Sequence, residues 1–267
     1  MATLTTRVVP LPLVRSAGWR LVERNLLAYR RSWMVFVSGF FEPLFYLLSI
    51  GIGVAELVGD FTLRDGTVVS YTVFVAPAML AASAMNGAIF DTTYGIFFKI
   101  KYNKLYDAVL ATPLRPWDVA TGEVTWGLLR GGCYSAMFVV VMVAMGLVES
   151  WWGLLALPAA ILIGYAFAGA GMAATTWMRT WQDFEFVQIT IMPMFLFSAT
   201  FFPLETYPGP LQNVVAVTPL YQGVVLVRGL TTGVVGWDLL IAVGYLAAMG
   251  TIGLYVASRR LGKLLLK

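Results

Sequence analysis

Four ionisable residues lie inside long apolar stretches of the sequence, where a charge is costly to place. On insertion scales each charged side chain costs roughly 2.5 to 3.5 kcal/mol near the middle of a membrane. A side chain with this cost is expected either to pair with an opposite charge or to carry a function. The four residues are Glu42, Asp91, Glu123 and Arg130.

Helix geometry predicts which of these charges meet. At ~1.5 Å per residue from the nearer basic flank, Glu42 and Arg130 both lie roughly 15 to 17 Å deep, whereas Asp91 and Glu123 lie about 10 and 6 Å deep. Glu123 and Arg130 share one helix face but lie too far apart along it for a tight pair. The sequence therefore predicts a Glu42–Arg130 ion pair. Its role stays open between a structural lock, a polar switch that breaks during transport, and direct substrate contact.

Residue types that many enzymes require are missing. The 267 residues include no histidine and one cysteine, Cys133. A Cys/His zinc site, a Ser-His-Asp triad and an intrachain disulfide are therefore excluded. The Gly-x-x-x-x-Gly-Lys-[Ser/Thr] phosphate loop does not occur either, because the single Gly-Lys pair, at 262–263, precedes Leu264. Function must come from shape, charge placement and partners.

The composition is that of an integral membrane protein. Apolar residues make up 59% of the chain and charged residues 12%, with a mean hydropathy of +0.79, whereas a soluble domain carries about 25% charged residues. A net charge of +4 could suggest a nucleic-acid partner. The basic residues lie beside apolar runs, however, where they act as topology signals. No nucleic acid is expected to bind.

Six segments have the ~20 apolar residues that a helix needs to cross a hydrocarbon core of ~30 Å. They are 33–55, 71–98, 119–148, 153–178, 186–202 and 236–258. A seventh stretch, 214–230, is interrupted by Pro219, Gln222 and Arg228, and it predicts a short interfacial or re-entrant element. With six spans and both termini in the cytoplasm, most of the 18 Lys and Arg residues flank the cytoplasmic side, as membrane topology favours.

The N-terminal segment 1–31 lacks the apolar core of a cleaved signal peptide. Within 13–31, apolar residues recur at helical spacing while arginines gather on another face, which predicts an amphipathic helix on the inner membrane surface. This helix either anchors the first span or docks a cytoplasmic partner. The chain is thus interpreted as one domain, 1–267, with a connecting helix at 1–31, a six-span bundle at 32–258 and a tail at 259–267.

Two loops on the cytoplasmic side differ in content. Segment 99–118 is helix-like up to Leu110 and is then stopped by Pro113 and Pro116. It carries an apolar stripe at helical spacing, composed of Leu105, Tyr106, Val109 and Leu110. The stripe either binds a cytoplasmic partner or folds back onto the membrane. The shorter loop 179–185 mixes charges with aromatic residues and is a second candidate contact.

Four short sequence motifs, in a characteristic order and spacing, make the sequence recognisable. They are EPLFYLL at 42–48, KLYDAVLATPLRPWD at 104–118, FLFSATFFPL at 195–204, and TPLYQG at 218–223 followed by RGL at 228–230. Together they resemble the permease subunits of ABC-2 type exporters, in the branch of nodulation-type lipo-oligosaccharide and daunorubicin-resistance permeases. The resemblance covers essentially the whole chain. The family often has Gly where Ala199 stands, and often a His near Gln222.

The resemblance implies a subunit of the bacterial inner membrane, surrounded by membrane lipid, that pairs with a second copy in a homodimer or with a close paralogue. Two cytoplasmic ABC ATPase subunits would bind ATP and Mg, while this chain binds no cofactor and catalyses no reaction. Segment 99–118 would be the main coupling helix, loop 179–185 a second contact and helix 13–31 a connecting helix. The residues expected to couple to the ATPase are Lys101, Lys104, Leu105, Tyr106, Asp107, Leu110, Trp181 and Asp183.

The expected fold is therefore an all-α integral membrane protein with six transmembrane helices, an N-terminal amphipathic interfacial helix, and short re-entrant outward-facing helices between spans five and six. The expected function is export of an amphipathic or lipid-linked substrate such as a glycolipid, a lipo-oligosaccharide or an apolar drug. A membrane-embedded lipid-processing enzyme and an ion-coupled carrier without an ATPase remain alternatives. Aromatic residues that either line the substrate path or simply pack are Phe195, Phe197, Phe201 and Phe202.

Overall fold

A computed structural model describes residues 18–29, 41, 45–50, 53–62 and 66–265. The elements before the main bundle are α1 (Trp19–Tyr29), α2 (Ala55–Val58), β1 (Asp60–Thr62) and β2 (Val68–Ser70). The bundle and its loops contain α3 (Tyr71–Phe90), a π-helical turn (Asp91–Gly95), α4 (Ile96–Lys101), α5 (Leu105–Leu110), α6 (Pro116–Ala144), α7 (Ala156–Thr175), α8 (Phe184–Phe197), α9 (Gly209–Val217), α10 (Pro219–Thr232) and α11 (Trp237–Leu265).

Four helices in the described part of the chain are long and apolar enough to cross a membrane. They are Tyr71–Lys101, which joins α3 to α4 through the π turn, Pro116–Ala144, Trp151–Thr175 and Trp237–Leu264. These correspond to the second, third, fourth and sixth predicted spans. Most of the first predicted span, 33–55, lies outside the described residues. The all-α membrane architecture is as expected, and the count of six spans stays a prediction.

The fifth predicted span, 186–202, forms a shorter helix than expected. Helix α8 has 14 residues, which at ~1.5 Å per residue cover roughly 21 Å of the ~30 Å hydrocarbon core. The chain turns at Ala199, whose φ of 53° is left-handed. This conformation costs a residue with a Cβ energy that glycine does not pay, which explains why the resembled family often has glycine there.

Helices α9 and α10 form a sharply bent pair, called the re-entrant element after the sequence-based prediction of a short interfacial or re-entrant segment; its place in the membrane stays a prediction. They meet at an angle of 83°, and Thr218 Oγ1 at the bend lies 3.2 Å from Ser198 Oγ at the end of α8. The far end of α10 lies beside the loop before α7, where the backbone N–H groups of Glu149 and Ser150 donate to the carbonyl of Thr231. Helix α10 therefore starts at the depth where α8 stops and returns to the bundle end from which α7 starts.

The two ends of the bundle have different characters. One end, called the basic end, carries Lys99, Lys101, Lys104, Arg115, Arg179, Arg259 and Arg260. The opposite end, called the hairpin end, carries the antiparallel pairing of β1 with β2, which the sequence analysis did not predict. The hairpin is fixed to the bundle by Phe61, whose ring stacks on Phe74 of α3 with centroids 5.0 Å apart. Membrane topology favours a cytoplasmic position for the basic end, and this orientation stays a prediction.

Glycines bring the two most closely packed helices, α7 and α11, into backbone contact. A Cβ atom built on Gly253 would overlap the backbone of Gly169, and one built on Gly169 would overlap that of Gly250. Association of helices in a membrane depends on such close packing because lipid supplies no hydrophobic drive between them. The glycines therefore fix the distance between α7 and α11.

Replacing Gly253 with alanine should lower the free energy of unfolding by about 1–3 kcal/mol, because the added methyl group must push the backbones apart. The matched control is Gly244→Ala in the same helix, where a Cβ meets nothing within 4 Å; this change should be neutral or stabilising by up to about 1 kcal/mol. Thermal unfolding in detergent measures both. Equal effects of the two substitutions would contradict the packing argument.

Candidate functional site: a polar junction and an apolar groove

Arg130 of α6 forms an ion pair with Asp91 of the π turn, from Nη2 to Oδ1. Both side chains are largely shielded, with 13% and 16% of their surface exposed. The guanidinium group also lies 5.6 Å from the ring centroid of Tyr29, and Nη1 is 3.5 Å from the Tyr29 hydroxyl. Arg130 thus joins α6 to both the π turn and α1.

The partner of Arg130 differs from the sequence-based expectation, which was Glu42. Backbone depth alone puts Arg130 level with Glu42, but side chains of a helix point towards its N-terminus, and α6 begins at the basic end. Arg130 therefore reaches back by about one turn, to the level of Gly127, whose position faces Asp91. Glu42 lies outside the described residues, so its own partner stays a prediction.

Glu123 lies nearer the basic end of α6 and is 4% exposed. Its Oε2 accepts from Lys99 Nζ of α4 at 2.5 Å and from Asn25 Nδ2 of α1 at 3.3 Å. The sequence predicts no partner for Glu123, because Lys99 is predicted to lie in a loop. Helix α4 instead continues to Lys101, which brings Lys99 against α6.

A π-helical turn aligns the two ion pairs. Glu123 and Arg130 are seven residues apart on α6, which is close to two full turns and keeps both on one face. Asp91 and Lys99 are eight residues apart, and eight residues of α-helix would rotate Lys99 by about 80° away from that face. The π turn Asp91–Gly95 accommodates an extra residue in one turn. It therefore brings Asp91 and Lys99 to the same side of the helix.

Tyr106, expected to contact an ATPase, is buried instead. Its side chain has 0% exposure, so α5 presents this ring to the bundle and not to solvent. Burial, followed by the negative charge of Glu123, raises the pKa of Tyr106 well above its usual value, and the hydroxyl keeps its proton at neutral pH. Tyr106, which the stripe predicts as a docking group, is therefore an internal contact between α5 and α6.

Other residues of the expected coupling set do lie at the surface. Lys101, Lys104 and Trp181 are exposed, whereas Leu105 is half-buried. Asp183 is half-buried, and its Oδ2 accepts from the backbone N–H groups of Arg179 at 2.6 Å and Thr180 at 3.0 Å. These two hydrogen bonds, chiefly that from Thr180 and then that from Arg179, lower the pKa of Asp183. The side chains of Asp107 and Leu110 lie outside the described part of the structure.

An aromatic cluster joins the two loops of the basic end. Tyr94 of the π turn stacks on Phe184 of α8 with centroids 4.1 Å apart. Trp181 lies 5.1 Å from Phe184 and 5.6 Å from Phe98 of α4. The sequence analysis had no signal for this cluster, because its members come from two segments more than 80 residues apart. Loop 179–185 is therefore attached to the segment that leads into α5.

A groove of about 800 Å³ runs between α7, α8 and the end of α3. Its walls are mainly apolar, and Arg179, Thr180 and Asp183 stand at its basic end. Pro219, the first residue of α10, lies at its other end. Its size is in the range of small-molecule binding sites. The groove thus joins a polar mouth to the re-entrant element through an apolar interior.

The phenylalanines proposed for a substrate path lie beside this groove. Within the described lining, α8 contributes Phe186, Val187, Thr190, Ile191 and Met194 and none of the four proposed phenylalanines. The ring of Phe195 packs edge-on against Phe201 at 5.5 Å. Phe197 and Phe202 are exposed. The assignment of these residues to a path stays a prediction.

The long apolar helices define a multi-pass membrane protein. The family described as ABC-2 type transporter matches residues 17–231. Nodulation protein J of Rhizobium leguminosarum bv. trifolii is 34% identical over 254 residues, covering 94% of each chain. Nodulation protein J of Rhizobium meliloti (strain 1021) is 32% identical over 222 residues, covering 81% of this chain and 82% of the relative. The chain belongs to the ABC-2 type transporter family, and the resemblance inferred from its sequence motifs is confirmed.

The ion pair predicts a non-additive loss of stability. Asp91→Asn or Arg130→Gln alone strands a buried charge, whereas the double change removes both charges, so we expect a coupling of roughly 1 to 3 kcal/mol in a double-mutant cycle. Thermal stability in detergent provides the measurement. Glu149→Gln combined with Arg130→Gln is the control and should be additive. A parallel cycle with Glu42→Gln tests the sequence-derived pair, and additive losses for Asp91 with Arg130 would refute the pairing described here.

Proposed function

We propose that this chain is the transmembrane permease subunit of an ATP-driven exporter that moves an amphipathic or lipid-linked substrate out of the cytoplasm or the inner leaflet. The observation that carries this proposal is the family membership over most of the chain. The apolar groove with its polar mouth supports it. A membrane-embedded enzyme would need clustered acid, base or metal-binding groups, and the buried charges described here are instead paired with one another.

The ATPase would bind at the basic end. Helix α5 is held against the bundle by Tyr106, so its opposite side, which includes Lys104 and Ala108, is exposed. Exposed Tyr102 and Trp181 lie nearby and are joined through Phe98. ATP and Mg would be bound by that partner, and this chain would transmit the motion.

The groove favours a substrate with one polar part and one apolar part. An acyl or other apolar portion would lie against residues such as Phe167, Ala170 and Ile191. A polar group would stay near Arg179 and Asp183 at the mouth. A lipo-oligosaccharide, a glycolipid or an apolar drug with a polar group all satisfy this requirement, and the relatives' name does not choose among them.

A second permease copy would complete the transporter. Helix α8 exposes Phe186, Ile189 and Met192, each by more than 60% of its surface, and it has few contacts with the other described helices. An apolar helix face of this kind suits another membrane helix as well as lipid. We propose a homodimer, with α8 of each copy near the shared path.

Replacing Ala108 with arginine should reduce recovery of the ATPase with the permease, because a bulky charge on the exposed side of α5 obstructs docking without disturbing the buried side. Co-purification from native membranes and transport in vesicles measure the loss. The control is Thr206→Arg at the hairpin end, which is also exposed and should leave both unchanged. Normal ATPase recovery and transport with Ala108→Arg would contradict docking at α5.

Labelling with a membrane-impermeant thiol reagent tests the orientation. In a background with Cys133 replaced by serine, a cysteine at Thr206 should react from outside intact cells, whereas cysteines at Tyr102 and Lys263 should react only after the membrane is permeabilised. This follows from placing the basic end in the cytoplasm. External labelling at Lys263 would overturn the six-span topology and make 214–230 a complete crossing.

A further inference from the structure

We infer that Glu123 is a positioning residue for energy coupling: its carboxylate joins α5, the proposed receiving helix for the ATPase, to α1, α4 and α6. The inference deepens the proposed function and depends on it for the origin of the motion. The geometric part, that one carboxylate joins α1 and α4 to α6, stands on the structure alone; the hydrogen bond to α5 is part of the inference.

Side chains from three other elements converge on Glu123. Lys99 of α4 and Asn25 of α1 both donate to Oε2, at 2.5 Å and 3.3 Å. Tyr106 of α5 lies close enough for the carboxylate charge to raise its pKa. Asn25 and Tyr106 are 3% and 0% exposed. Water therefore has little access to the junction, and the contacts act at short range in a medium of low dielectric constant.

The junction contains a donor and an acceptor that lack partners. Among the described residues, neither Oε1 of Glu123 nor the Tyr106 hydroxyl makes a hydrogen bond. Burying either group unpaired costs about 1–3 kcal/mol. Because the Tyr106 hydroxyl keeps its proton and Glu123 is adjacent, a small rotation of either side chain would satisfy both groups. We assign this hydrogen bond as the link through which α5 moves Glu123.

The neighbouring backbone makes the junction stiff. Gly122, next to Glu123, faces α1 so closely that a Cβ atom there would come within 2.6 Å of the carbonyl oxygen of Gly18. Helices α1 and α6 are therefore in backbone contact at this level. A displacement of Tyr106 would pass to α1 and α4 without being absorbed by loose packing.

The first experiment measures geometry in the permease alone. Spin labels at Ala108 of α5 and Leu26 of α1, both exposed, report their separation in a background with Cys133 replaced by serine. We expect one narrow distance distribution in the parent protein and a broad one in Glu123→Gln, because the amide accepts more weakly and leaves Lys99 unpaired. Glu149→Gln, at the hairpin end, is the matched control. An unchanged narrow distribution in Glu123→Gln would overturn the junction.

The second experiment measures coupling in the assembled transporter. Glu123→Gln should retain ATPase recovery and ATP hydrolysis while substrate moved per ATP falls about ten-fold, the effect of losing one buried charge-assisted hydrogen bond. The variant Glu123→Gln with Lys99→Gln removes the stranded charge. It should recover thermal stability but not coupling, whereas recovery of both would show that Glu123 is only structural and would overturn the inference.

The two proposals fail in different ways. If the distance distribution broadens but no ATPase binds at α5, the junction stands and the proposed docking is wrong. If the ATPase binds at α5 and transport per ATP is unaffected by Glu123→Gln, the proposed function stands and the positioning role of Glu123 is wrong.

Discussion

Two ion pairs set the register of the α3–α4 helix against α6, and the polar junction depends on that register. Along the chain each helix carries its acid before its base. Because the two helices run in opposite directions, Asp91 meets Arg130 while Lys99 meets Glu123. A shift of one turn along either helix would leave charges buried without partners, and an unpaired buried charge is far more costly than a lost surface contact. The π turn at Asp91–Gly95 has a direct role here, because it removes the rotation that an eight-residue spacing would introduce. An otherwise unfavourable distortion of the helix thus places both pairs on one face.

The same register explains how the basic end is connected. The Lys99–Glu123 ion pair holds α4 beside α6 and fixes the position of the Glu123 carboxylate. The contacts of Asn25 in α1 and Tyr106 in α5 with that carboxylate therefore depend on the ion pair between α4 and α6. The aromatic cluster around Tyr94 and Phe184 extends this connection to α8. The apolar groove lies between α8 and α7, where small or flexible apolar side chains face each other. Under the proposed coupling, a movement received at α5 would pass to helices that are joined by charge, and the aromatic contacts would carry it to the wall of the groove.

Sequence reasoning succeeded where a property depends on composition along one segment. The four long apolar helices and the bend between α9 and α10 follow from local hydrophobicity and from proline positions. It failed where a property depends on the direction of a side chain. Asp91 as a partner of Arg130 follows from a side chain that reaches towards the start of α6, whereas a Glu42 contact stays a prediction. The apolar stripe likewise does not reveal which neighbour covers Tyr106, which is buried. The length of α8 was missed because the apolar run continues past Phe197, while the backbone turns at Ala199.

The family motifs at 195–204, 218–223 and 228–230 contain residues that satisfy backbone groups where helices end. Where α8 and α9 end, their last carbonyl groups lose helical partners, and a surrounding lipid would offer no replacement donor. Side chains supply the donors: Arg228 Nη2 binds the carbonyl of Ala199 at 2.9 Å, and Gln222 Nε2 binds that of Ala216 at 2.7 Å. The Arg228 guanidinium also lies 3.8 Å above the ring of Phe74, which ties the re-entrant element to α3. Polar residues that interrupt the apolar run 214–230 therefore make the interruption possible, since a helix can stop within a membrane only where its freed backbone groups are bound.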